Sequence, residues 1–435
     1  VSDPDVAIWG GGYVGLTGAV HWARAGRQVV IVDPDPVVVE AISAGRPKAG
    51  EFLSYLGVAF DGEGIRATTE PGAAYLAPVQ VVAVPTEKQG LPSAAIVREV
   101  LQQLGLCVMD GTVILVESTL EPGTLDGFLE WLQAQGLRDE VGRTWFLACC
   151  PRRDWFADPE KNLETLPRIV GGVTAACTER ALTILSAVSR TLLPTTYRTA
   201  EVTKALENAL LHVPVMLAHE LALGLPELDV AEALQLAGTH WRLTPLYLGF
   251  GTGGRCVPLG SEYLNNALHA RGSGRQLVQE ALRLDQRMRR AIAEAAAHWC
   301  PPPATALVLG IGYRPEFADV GRSPGRDVAR ELLHRGFGVS VHDPLLSESQ
   351  LARLTGIPVW PGGELKQYDV ILLATPHKAY AELPACAGFR PGQVVIDGQG
   401  AWRGYADGLK ELAVHYVQVG TPGWRGPART EPRRA

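Results

Sequence analysis

Val6 to Asp33 reads VAIWGGGYVGLTGAVHWARAGRQVVIVD, and the order of residue types in this stretch decides the fold. Val6 to Trp9 is a short apolar strand, a helical run extends to about Arg24, and Gln28 to Asp33 is a second strand ending in an acid. Between the first strand and the helix, Gly10, Gly12 and Gly15 occupy the G-x-G-x-x-G positions. The first permits a tight turn, the second admits a diphosphate, and the third lets helix pack on strand. Tyr13 and Val14 open the helix, whose first amides and positive dipole end face the phosphates. Asp33 falls where an acid binds a ribose 2'-hydroxyl and repels a 2'-phosphate, so the pattern predicts NAD in preference to NADP.

Working outward, strand-like and helix-like segments keep alternating: VQVVAVPT, VILVEST, WFLACC and PRIVGG are the later strands. That is the pattern of a doubly wound parallel sheet, with ligands beyond the carboxyl ends of its strands. Thr86, Ser118 and Thr119 fall at such ends. From about Glu201 the apolar spacing turns helical, Pro214 is expected to kink that helix, and Lys204 and Asn208, four apart, share one face. A second long helix is expected from about Gln276 to His298, and PPPA from Pro301 marks a stiff break. After it TALVLGIG begins another α/β unit. The expected architecture is α/β: Rossmann-like domains at 1–197 and 301–420, a central helical region at 198–300, and a disordered tail at 421–435.

Composition bounds the function. The chain has 435 residues, 46% hydrophobic and 20% charged, enough for several cores. A net charge of -6, with no basic stripe evident before the final residues, argues against nucleic acid. Seven cysteines lack disulfide-framework density and metal-ligand spacing, so a reducing compartment and no metal are expected. No leader pattern and no apolar run of spanning length is read, so the expected location is cytoplasmic, away from membranes.

GFGTGGRCVP, Gly249 to Pro258, sets a single thiol among glycines. Glycine lets a ligand or another part of the chain approach closely. Read alone, the stretch is equally a tight surface loop that happens to contain Cys256.

These residues together resemble the UDP-glucose/GDP-mannose dehydrogenase family. The opening Gly10 to Gly15, Val84 to Thr86, Ser118-Thr119, then Ala200, Glu201, Lys204 and Asn208, and finally Gly253, Gly254, Cys256 and Pro258 follow the family's motifs in order. PRIVGG and Tyr263-Leu264 lean to the branch that oxidises UDP-N-acetylhexosamines. The resemblance implies oxidation of a sugar C6 alcohol to a uronate with NAD+, through a thiohemiacetal and a thioester on Cys256. It implies that Lys204 supplies charge or a base, Asn208 an oxyanion donor, and Thr119 a water ligand. Arg152, Gly251, Gly253, Gly254, Arg255 and Arg314 are the implied substrate-binding residues, and the central helices are implied to pair as a homodimer.

Departures accompany the matches. The family's acid four residues after the cysteine is Gly260, and its Pro-Glu reads Pro151-Arg152. Asp154 and Glu262 are the acids available to substitute, an acid restored at 260 is expected to speed product release, and His219 stands where the family has asparagine. Two alternatives stay open: a divergent relative acting on an unusual sugar nucleotide or stopping at the aldehyde, and a catalytically silent NAD-binding regulatory protein.

Overall fold

The computed structural model describes residues 3–47, 60, 62–155, 158, 160–273, 277–386 and 388–426. The chain divides into two compact units, Val1–Glu207 with Asn266–Gly272, and Asn208–Asn265 with Ser273–Ala435. The helical stretch 198–300 is thus shared between them.

The first unit is built on strands β1 (Val6–Trp9), β2 (Val29–Val32), β3 (Ile65–Thr68), β4 (Val79–Val82), the small hairpin β5 (Glu87–Lys88) and β6 (Leu91–Pro92), β7 (Val113–Val116), β8 (Phe146–Cys149), β9 (Arg168–Gly172) and β10 (Leu192–Thr196). Eight of them form one sheet in the order β10-β9-β8-β7-β4-β1-β2-β3. Its central strands are apolar on both faces because helices cover both, which is why they read as continuous Val/Ile/Leu runs. These helices are α1 (Tyr13–Arg24), α2 (Pro36–Ser43), α3 (Ala95–Cys107), α4 (Thr124–Ala134) and α5 (Ala175–Leu185). The strand order reverses between β1 and β4, which places the ligand crevice beyond their carboxyl ends. One pairing departs from the expected parallel pattern: β8 and β9 are antiparallel. Among the described residues no helix lies between them, and a parallel neighbour needs a long crossover.

The second unit carries an all-parallel sheet, β12-β11-β13-β14-β15, of β11 (Thr305–Leu309), β12 (Gly338–His342), β13 (Val370–Leu373), β14 (Val394–Asp397) and β15 (His415–Gln418). Helix α6 (Tyr197–Gly224) contains Pro214 without a break in its helical span and passes from the first unit into the second. It is followed by α7 (Val230–Ala237), α8 (Cys256–His269), α9 (Leu277–Trp299) and α10 (Pro324–His334). Met288, Ile292, Ala295 and Ala296 of α9 join Val308, Val328 and Leu332 in one core.

Residues 421–426, expected within a disordered tail, are described and packed. Trp424 is fully buried in that core, and its indole N–H donates to the Ala222 carbonyl at 3.1 Å. Residues 421–426 are therefore packed structure; 427–435, and Gln276 as a helix start, lie outside the described residues.

Candidate active site

In the first unit the three glycines have three separate reasons to be glycine. Gly10 adopts φ +106°, and a Cβ there would lie 2.6 Å from the Ala83 carbonyl. A Cβ on Gly15 would sit 1.9 Å from the Gly10 carbonyl, so helix and turn touch backbone to backbone. At Gly12 a Cβ would meet nothing within 4 Å: the space is open, as a diphosphate needs. No side chain caps α1, and Tyr13 and Val14 form its opening turn, the end of a helix that favours an anion. Asp33 accepts from the Gly11 N–H at 2.7 Å and the Asp35 N–H at 3.0 Å. The acid expected only to meet ribose also holds the turn, and its remaining lone pairs suit a diol. These features fit NAD: the first turn of α1 for the diphosphate, Asp33 for the ribose.

At the neighbouring strand ends, Ser118 is buried and donates to the Val84 carbonyl at 2.8 Å, tying the end of β7 to the loop after β4. Thr119 and Thr86 are half-buried beside it in sequence and strand order.

Arg152 corrects the sequence reading most directly. All five of its N–H donors are committed inside the unit: Nε and Nη2 to Asp154, Nη1 to Glu117 at 3.0 Å and to the Val14 carbonyl at 3.2 Å, Nη2 also to Thr17 at 3.1 Å. No donor remains for a substrate anion, so Arg152 is an internal ion-pair residue. Asp154 is bound in the same network and is not a spare acid. Glu117, between Arg152 and Arg168, is the hub: burial pushes its carboxyl up, but the two guanidiniums outweigh that and hold it below the usual range.

On α6, the Glu201 carboxylate accepts from the Gly123 N–H at 2.8 Å and the Leu125 N–H at 2.9 Å, capping α4 and pinning the loop that follows Thr119. Burial raises it to about 7 despite those bonds. Lys204, one turn on, is largely buried and lies 3.6 Å from Glu207, which also pairs with Arg153 at 2.9 Å.

In the second unit the glycine-rich loop is explained by the chain's own approach. Gly251 has φ +131° and faces Asp285, whose Oδ1 would lie 2.6 Å from an added Cβ. A Cβ on Gly253 would fall 2.6 Å from the Tyr313 Cβ, and one on Gly254 2.8 Å from the Tyr313 ring. The Gly254 N–H is taken by the Gly321 carbonyl at 3.1 Å. Cys256 emerges from this clamp as the first residue of α8, exposed, at the positive end of the helix. Arg255 beside it is exposed. Arg314 stacks on Phe317 at 4.0 Å, and Arg322 pairs with Glu262 at 2.9 Å, so the second acid proposed as a substitute is also engaged.

Gly260 is the other correction. Asn208 of α6 presses against it: a Cβ on Gly260 would lie 2.4 Å from both the Cβ and Nδ2 of Asn208. The position of the family's acid is here a contact point between α6 and α8 with no room for a side chain. His219, whose asparagine counterpart the pattern expects, sets Nδ1 2.9 Å from the Val215 carbonyl and Nε2 3.1 Å from the Gly249 carbonyl, and its single neutral-ring N–H donates to one of them at the start of the glycine loop.

Three positioning residues escaped the sequence reading. Asp285 accepts from the Thr252 N–H at 2.7 Å, and Arg289 donates to the Thr252 carbonyl at 2.6 Å and to Asp285. Their i, i+4 acid–base spacing is the signal that was available. Glu117, an acid closing an apolar strand, is the third.

Among the described residues no group of three or more His, Cys, Asp or Glu side chains is placed to hold a metal, and no helix is long and apolar enough to cross a membrane.

Comparison with known proteins matches three domain profiles of one family along this chain. These are the UDP-glucose/GDP-mannose dehydrogenase family NAD binding domain at residues 4–189, its central domain at 198–287 and its UDP binding domain at 307–404. A UDP-N-acetyl-D-mannosamine dehydrogenase of Methanococcus aeolicus is 26% identical over 391 residues, covering 86% of this chain and 85% of its own. An NDP-N-acetyl-D-galactosaminuronic acid dehydrogenase of Ralstonia nicotianae is 27% identical over 421 residues, covering 91% and 96%. The solved structure of a UDP-glucose dehydrogenase from Pyrobaculum islandicum superposes with TM-score 0.81 at 24% identity, covering 97% of this chain and 98% of that one.

Proposed function

Since the chain belongs to the UDP-glucose/GDP-mannose dehydrogenase family and is an NAD-dependent UDP-sugar dehydrogenase, we propose that its substrate is a UDP-N-acetylhexosamine, oxidised at C6 to the uronate. The N-acetylmannosamine form is the first choice, because relatives carrying that name match nearly the whole chain. The observation that carries the mechanism is Cys256: an exposed thiol on the first turn of a helix, preceded by Gly251, Gly253 and Gly254, where an added Cβ would clash with Asp285 or Tyr313.

The first turn of α1 and Asp33 would hold NAD+, which when bound would supply the hydride acceptor for both oxidations. Cys256 adds its sulfur to the aldehyde carbon and later leaves when water attacks the thioester carbonyl. Asn208 donates a hydrogen bond to the oxygen on which negative charge develops. Lys204 and Thr119 take their roles, charge or base and water ligand, from the family pattern. The compartment we propose is the cytoplasm, in keeping with six described cysteines that lie outside any disulfide. The assembly we propose is a homodimer through α6, whose Leu206, Leu210 and Leu217 are 43, 62 and 54% exposed.

Incubation with NAD+ and UDP-N-acetylmannosamine, followed by mass spectrometry of small molecules and of the intact chain, tests the reading. A uronate product with two NADH per sugar is expected, and Cys256→Ser should stop at slow aldehyde formation. Full turnover by Cys256→Ala would end the covalent mechanism. Because Arg152 is turned inward and Gly260 is filled by Asn208, a second reading is favoured at the last step: water activation is weak, and the acyl adduct on Cys256 accumulates.

A further inference from the structure

Helix α9 has two unlike faces. Asp285 and Arg289 turn inward and hold Thr252, as described above. Arg283, Arg287 and Arg290 follow the i, i+4, i+7 spacing and form a stripe on the other side, roughly 180° around the helix at about 100° per residue. In the linear sequence they look scattered among other charges; the helix aligns them.

The stripe borders a pocket of about 420 Å³ lined by Arg283, Gln286, Arg287, Arg290, Ala291, Glu294 and Arg425. Arg425 reaches it from the segment after β15, so the guanidiniums converge from two parts of the chain. Arg283 is tied to Glu280 at 2.6 Å. Glu294 is drawn toward Arg335 at 3.2 Å and Arg425 at 3.9 Å. Among the described residues Arg287 and Arg290 have no ion pair or hydrogen bond, and both are exposed. Four arginines against one glutamate leave the lining at +3, in a chain whose net charge is -6. Glu280 and Glu294 offset Arg283 and Arg425, while among the described residues Arg287 and Arg290 keep uncompensated like charges on one face.

We propose that this pocket binds an oligophosphate group, a site additional to those for NAD and the UDP-sugar. Guanidiniums match phosphate oxygens bidentately, and the stripe from 283 to 290 spans about 10 Å, the reach of several linked phosphates. The volume admits a ligand of that size. Among the described residues no aromatic side chain lines it, so the phosphate chain rather than a base is what it recognises.

The test is calorimetric titration of the full chain, with NAD+ and UDP present at saturation so that their own sites are filled. Inorganic tripolyphosphate is one probe and a nucleoside triphosphate the other. Saturable binding of both is expected, within about threefold of each other and falling with salt. In Arg287→Ala/Arg290→Ala it should weaken at least about tenfold. The control pair Arg98→Ala/Arg353→Ala removes the same charge from exposed positions elsewhere and should change affinity less than about twofold. No saturable binding, equal losses in the two pairs, or undiminished binding in Arg287→Ala/Arg290→Ala each overturns the proposal. Binding of the nucleoside triphosphate alone overturns it as well, since a base would then be required.

Discussion

Replacing Gly260 tests whether the contact between α6 and α8, rather than a lost acid, governs that position. A Cβ there would stand 2.4 Å from the Asn208 Cβ and Nδ2, and ordinary carbon contacts begin near 3.5 Å, so the helices must part by about 1 Å. Overpacking of this kind costs about 1–3 kcal/mol, and Gly→Ala in a helix returns about 1 kcal/mol of propensity. Gly260→Ala should therefore lose up to about 2 kcal/mol, a fall of up to about 8 °C in Tm for a unit of this size. Gly260→Asp carries the same Cβ and adds a carboxylate against the Asn208 amide, so it should lose more and leave product release no faster. Asn208→Gly removes the opposing Cβ. In a cycle of four proteins unfolded by heat and by urea, the Gly260→Ala/Asn208→Gly pair should be more stable than the sum of its singles by at least about 1 kcal/mol. A Gly260→Ala protein more stable than the parent, or singles that add within about 0.5 kcal/mol, would refute the packing argument.

Arg152→Glu, which restores the family's acid, should cost about 3–5 kcal/mol in urea unfolding by placing a third carboxylate beside Glu117 and Asp154; a stable variant with faster uronate release would overturn that assignment. Glu201 ionises at about 7 when folded against 4.5 for the free side chain, so its contribution is fully present below about pH 4.5 and is lost as pH rises through about 7. The loss is up to about 3 kcal/mol, and Glu201→Gln should flatten thermal stability between pH 5 and 8, which melting curves at several pH values will show. Asp33→Ala should weaken NAD+ binding about tenfold or more and reduce the preference over NADP+, while also lowering Tm because the Gly11 N–H loses its acceptor; titration of both cofactors by fluorescence decides, and an unchanged preference would count against the ribose assignment.

Much of this protein is legible from local chemistry. Strand, glycine turn, helix, strand and acid from Val6 to Asp33 follow from residue types a few positions apart, because turn conformation, helix start and apolar periodicity are local properties. The second α/β unit and the long α6 and α9 were readable for the same reason, and the ordered motifs carried the family. What the sequence could not contain was the identity of distant neighbours. Arg152 meets Glu117 and Thr17 only because β7 and α1 are brought beside it. Gly260 meets Asn208 only because α8 crosses α6. Trp424 belongs to the core only because Ala222 waits for its N–H, and Arg425 reaches the arginine stripe of α9 by the same return of the chain. Spacing along the chain specifies which face a residue takes; which surface that face meets is set by packing of segments far apart in sequence, and there tertiary structure alone decides whether a charge is offered to a ligand or consumed inside the fold.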